Sequence, residues 1–214
     1  MLRMVAFFQL MVCASENDWL HRLCSKITDS LINHGMLCQD LSEWCIYWIQ
    51  KRIITYAVIL GMFLLGSQVF GAGVTLSYLF GLLPLRRRLF GYHTKSPYTC
   101  AALSIAIMFF ALSIHRFFPQ VSSIRFIGIN WLLSFVLITY FLKDQNDLRL
   151  HLTKEEMKVS SKLAFRVFCN VSIASAAIAL LLDSIECASA CQLGISTVVG
   201  SSVYSRWKNR GEEM

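Results

Sequence analysis

From Ile53 to Leu85 the chain runs for 33 residues without a charged side chain. One membrane crossing needs only about 20 apolar residues, so the run is too long for a single helix and suits two short ones. Basic clusters bracket it, Lys51-Arg52 on one side and Arg86-Arg87-Arg88 on the other. Such clusters mark cytoplasmic ends of spans, so both ends of the run are expected on the same side. A tight hairpin follows, turning between Gly66-Ser67 and Gly71-Ala72-Gly73. Each arm of about 16 residues rises only about 24 Å.

The rest of the chain repeats the pattern. It is 56% hydrophobic and 15% charged, with a mean hydropathy of +0.54, outside ordinary globular usage. Further spans are expected at Tyr98 to Ile114, Phe126 to Leu142, Leu163 to Leu182 and Ile185 to Tyr204. The fold class is an all-α integral membrane protein with about six transmembrane helices, the first two a short hairpin. The +7 surplus sits in short clusters beside the spans, including Lys143, Lys162 and Arg206-Lys208-Arg210. Membrane lipids are therefore the expected partner of these charges, and no nucleic acid is. Both termini are placed on the cytoplasmic side of the membrane.

Before the first span, Trp19, Leu20, Leu23, Cys24, Ile27, Leu31 and Ile32 recur at helical spacing opposite Asp18, Arg22, Ser25, Lys26 and Asp29. This predicts an amphipathic helix at the membrane surface. Residues 1–14 superficially resemble a signal peptide, with Arg3, an apolar run and Val12-Cys13-Ala14. They are expected to be retained. The expected domains are 1–50, an interfacial segment; 51–205, the membrane domain with a cytoplasmic loop at 86–100; and 206–214, a tail.

Between Glu43 and Asp144 there is no Asp or Glu. An ion-coupled transporter, an aspartyl protease or a metal-dependent phosphotransferase needs such carboxylates, so these classes are disfavoured. Zinc at His93 and Cys100 would want two more ligands nearby, and none follows. No metal or cofactor is expected. The eight cysteines mostly fall in or beside apolar segments, where Cys behaves as a small hydrophobe.

One loop stands out: His93 and Cys100, seven residues apart, beside Arg86, Arg87, Arg88 and Lys95. In a continuous helix the two would share a face but lie about 10 Å apart along the axis. Ser96-Pro97 breaks that helix and starts a new one at Pro97. Cys100 then lies in its first turn, where the helix dipole and the basic neighbours favour a thiolate. Gly91 frees the preceding chain to fold back, so that His93 approaches as base and Cys100 as nucleophile. Oxyanion stabilisation is expected from N–H groups of the first turn, near Thr99 and Cys100. Candidates to orient His93 are Gln39, Asp40, Glu43 and Gln50. The pairs His21–Cys24 and His34–Cys38 lack both the helix start and the basic setting. The pattern alone leaves a basic topology-setting loop with bystander His and Cys standing beside the dyad.

The segment Arg86 to Ser104 resembles the signature of the accessory gene regulator B (AgrB) family of quorum-sensing membrane peptidases. The resemblance rests on Arg86-Arg87, Gly91-Tyr92-His93, Cys100 seven residues after the histidine, and Ser104 four beyond it. Length, six-span hydropathy and the amphipathic start agree with it. It implies a cysteine endopeptidase that cleaves a short AgrD-like propeptide near its C-terminal end and closes the upstream fragment into a thiolactone or lactone. It further implies His93 and Cys100 as catalytic, with Arg86 and Gly91 as supporting positions; Arg87, Arg88, Lys95 and Ser104 are the further candidates to support the site or bind substrate. A homodimer is the oligomer considered. The family's Tyr-Gly-x-Glu-like stretch before the first span is replaced by Trp44-Cys45-Ile46-Tyr47. The alternatives are a non-enzymatic channel or peptide exporter, and a membrane acyltransferase.

Overall fold

The computed structural model describes residues 19–89, 97–143, 154–181 and 184–212. Residues 1–14, Gly91, His93 and Lys95 therefore lie outside the described residues. Seven α-helices and two short 3-10 turns make up the described secondary structure, with no strand among these residues. The chain is an all-α membrane protein. Among the described residues, three helical stretches are long and apolar enough to cross a bilayer, Gln39–Phe70, Thr99–Phe117 and Ser161–Leu180, and two shorter apolar helices, Ala72–Arg86 and Ile124–Tyr140, accompany them.

Helix α1, Trp19–Asn33, is the expected amphipathic helix. It ends in a left-handed glycine: Gly35 has φ +70°, Gly35 N–H donates to the Ile32 carbonyl, and Met36 N–H donates to that of Leu31. This Schellman closure satisfies carbonyls that the helix end would otherwise leave bare. Leu20, Cys24 and Thr28, spaced by four, form its buried stripe, while Trp19, Leu23 and Ile27 on the neighbouring face stay exposed.

Helix α2, Ser42–Phe70, is longer than the expected first arm, because its helix starts well before the charge-free run and carries Lys51 and Arg52 within it. Aromatic residues one turn earlier accommodate those charges. Lys51 lies over the Tyr47 ring at 5.9 Å and Arg52 over the Trp48 ring at 4.7 Å. Such cation–π pairs suit an interface that is part water and part lipid. The turn falls where the glycines placed it. Gly71 has φ +90°, and helix α3, Ala72–Arg86, starts directly after it. Gly66 permits the reversal, since a β-carbon there would meet Thr75 Cγ2 at 2.6 Å.

Helices α4 (Pro97–Phe117), α5 (Ile124–Lys143), α6 (Lys154–Leu181) and α7 (Ile185–Glu212) complete the chain. Helices α4, α5 and α7 contain the spans expected at 98–114, 126–142 and 185–204, and α6 carries the one expected at 163–182 as far as Leu181, Leu182 lying outside the described residues. The described residues fall into two compact units: residues 19–65 with 97–105, and residues 66–89 with 106–143, 154–181 and 184–212.

In the first unit, Cys24 of α1 and Cys45 of α2 are both buried. Burial pushes the Cys24 thiol up from its ordinary value, and the nearby Cys45 adds to the shift.

In the second unit α7 packs against α3 most extensively, and against α5 and α6 as well. Two glycines set the α3–α7 approach. A β-carbon on Gly81 would collide with the Cys191 carbonyl, and one on Gly194 with the Tyr78 carbonyl. In a bilayer, where lipid tails are as apolar as leucine, close backbone approach through small residues replaces the hydrophobic drive between helices. The Tyr78 hydroxyl also donates to Thr197 Oγ1 at 3.2 Å. Between α5 and α6, Trp131, Phe135, Phe165 and Phe168 form an aromatic cluster with ring centroids 5.5–6.5 Å apart. At the C-terminal end of α4, His115 Nε2 sits 2.7 Å from Ser189 Oγ, and Arg116 Nη1 donates to the Val69 carbonyl in the last turn of α2.

Candidate active site

Helix α4 begins at Pro97, as the Ser-Pro pair predicts, and Cys100 is the fourth residue of its first turn. Ala101 and Ile105 are buried, and Cys100 and Ser104 lie half-buried beside them. Cys100 is thus only partly accessible. The Ser104 hydroxyl donates to the Cys100 carbonyl oxygen at 2.7 Å. Its proton is thus committed to the backbone one turn back, a local bond common for serine in helices.

The arginine cluster stands in the second unit, at the end of α3. Arg86 occupies the last turn, where a cation complements the negative end of the helix dipole. Leu85 fixes the turn beyond it: its carbonyl accepts from Arg88 N–H at 2.9 Å and from Leu89 N–H at 2.8 Å. Leu85 and Leu89 are buried, Arg86 is half-buried, and Arg87 and Arg88 are exposed. Two guanidinium groups therefore project from a turn whose backbone is held by packing.

Neither competing His–Cys pair forms a dyad. His21 is exposed while Cys24 is buried, and His34 directs Nδ1 to the Ser30 carbonyl at 2.8 Å. Asp40 and Glu43 are exposed at the start of α2 and in the turn before it, and Gln50 is half-buried within it. Among the described residues no group of three or more His, Cys, Asp or Glu is placed to hold a metal ion.

These features define a polytopic helical membrane protein with a cysteine in the first turn of an apolar helix. The family model of accessory gene regulator B matches residues 24–201, most of the chain and all of this region. The chain belongs to the accessory gene regulator B family. That membership assigns it a role in the accessory gene regulator system of quorum sensing, in propeptide processing, with an AgrD-like propeptide as its partner. No curated protein and no solved structure matches the chain.

Proposed function

We propose that the protein is a membrane-embedded cysteine endopeptidase that cleaves an AgrD-like propeptide near its C-terminal end and releases the upstream fragment as a cyclic thiolactone or lactone. The observation that carries this is the helix start at Pro97, which sets Cys100 in a first turn within the family-matched region. The positive end of a helix dipole favours the thiolate, the form that attacks.

Cys100 Sγ attacks the scissile carbonyl carbon. The C–N bond then breaks, and His93 passes the thiol proton to the departing amine. The propeptide's own Cys or Ser then attacks the resulting thioester, giving its proton to His93; the C–S bond to Cys100 breaks, His93 returns that proton to the Cys100 sulfur, and the ring closes. Thioester exchange is nearly balanced in energy, so water must be kept from the acyl-enzyme. Siting Cys100 beside buried Ala101 and Ile105 serves that exclusion. The exposed Arg87 and Arg88 suit acidic residues of the propeptide, and the site is assigned to the cytoplasmic face.

The test is Cys100→Ala with co-expressed propeptide, read by mass spectrometry. The variant should give no C-terminal fragment, while Ala at Cys24, Cys38, Cys45, Cys169, Cys187 or Cys191 leaves substantial cleavage. Full processing by Cys100→Ala would end the catalytic reading, and a channel or exporter would tolerate the change.

A further inference from the structure

Helix α7 is long enough to cross a bilayer but is not among the strongly apolar helices, and its polarity faces inward. Gln192 is 1% exposed, yet its Nε2 has no hydrogen-bond partner. One turn on, Ser196 Oγ lies 2.9 Å from Asn130 Oδ1 on α5 and 3.0 Å from the Gln192 carbonyl, with Ser134 Oγ at 3.3 Å. The Asn130 oxygen is thus occupied, while its Nδ2 is buried without a partner. On α6, Ser175 donates to the Ala188 carbonyl at 3.1 Å. From that register Ser172 lies one turn further from the α6–α7 connection, at the level of Gln192, and its buried hydroxyl is also unpartnered.

Polar side chains between membrane helices commonly act as glue, each bonding the next. Glue leaves nothing unbonded. Here the Gln192 and Asn130 amides, joined through Ser196, keep buried N–H groups unused, each carrying the desolvation cost of an unmade bond. Asn130, Gln192 and Ser172 bear no charge, so the matching ligand is a neutral one rich in acceptor oxygens. Buried polar groups facing a bundle interior mark solute sites by the same logic.

We propose that this seam of the second unit is a subsite for the backbone of an uncharged peptide segment, whose carbonyl oxygens accept from the Gln192 and Asn130 amides. This rests on the reading that the chain acts on a peptide. The seam from Ser189 to Ser196 covers about 10 Å of helix axis. That is the length of roughly three extended residues.

The test uses the full chain in lipid nanodiscs with a synthetic propeptide. Gln192→Leu and Asn130→Leu should each raise KM roughly tenfold, the scale of one or two lost hydrogen bonds, with kcat changing little. In a second arm, N-ethylmaleimide labelling of the Ser196→Cys protein should be rapid and slowed several-fold by saturating propeptide. Unchanged KM in both Leu variants overturns the proposal, as does a fall in kcat alone. Labelling that is fast but indifferent to propeptide identifies the occupant as water only and overturns it too. If a Leu variant fails to fold, the labelling arm decides. Should Cys100→Ala still cleave, the catalytic reading falls, while protection from labelling still reports the subsite.

Discussion

The Ser104 hydroxyl donates to the Cys100 carbonyl oxygen across one turn of α4, at 2.7 Å. Serine at this position therefore serves the backbone below the thiol and supplies no proton to it. Ser104→Ala should keep propeptide cleavage within about threefold, since a back-bonding serine adds little to a helix. Complete loss of cleavage in a folded Ser104→Ala protein would give the hydroxyl a chemical role that this bond does not explain.

Thiol reactivity should rank by setting. Cys100 sits half-buried at a helix start, Cys38 is exposed, and Cys24 is buried with its thiol pushed up from its ordinary value by desolvation and then by Cys45. Iodoacetamide should label Cys100 fastest at neutral pH, because a helix start favours the thiolate. Cys24 should label last, only above the ordinary thiol range. The sign for stability follows. The neutral Cys24 thiol is the form compatible with burial, so its contribution is present below the ordinary thiol range and is lost as pH rises through the raised folded value. Peptide mapping across a pH series checks both statements.

The α3–α7 contact should tolerate no side chain at its glycines. Gly81→Val forces a branched side chain against the Cys191 carbonyl, and the overpacking should cost about 1–3 kcal/mol or more. Gly128→Ala, which meets nothing within 4 Å, should be neutral or add up to about 1 kcal/mol through helix propensity. Thermal melting in detergent compares the two. Equal melting temperatures would mean that the helices are free to separate.

Arginine at 87 and 88 should matter beyond charge. Both side chains are exposed on a turn held by buried Leu85 and Leu89. A double Arg87→Lys and Arg88→Lys protein keeps the positive-inside signal but loses the planar fork that grips carboxylates. Cleavage should fall at least several-fold with expression unchanged, and neutralising the propeptide's acidic residues should produce a similar loss. Unimpaired processing would confine these residues to setting topology.

Much of this protein is legible locally. The helix start at Pro97 follows from one serine and one proline, and the hairpin turn at Gly71 from a glycine cluster in a charge-free run. The amphipathic α1 follows from periodicity, because a helix face is written in residues three and four apart. The start of α2 at Ser42 was less legible. Lys51 and Arg52 look like a boundary until Tyr47 and Trp48 are seen to hold them. What only the tertiary structure decided is which helix is enclosed. Ile185 to Tyr204 has the length of a span, but its serines, cysteines and glutamine carry no sign of whether they meet lipid or other helices. Packing of α3, α5 and α6 around α7 turns them inward and leaves the Gln192 amide buried without a partner. Hydropathy and capping are sums over neighbours in the chain. The Gln192 carbonyl shares Ser196 with Asn130, and Gly81 meets the backbone of the adjoining Cys191; these partners are distant in sequence, so the arrangement exists only once the helices have packed.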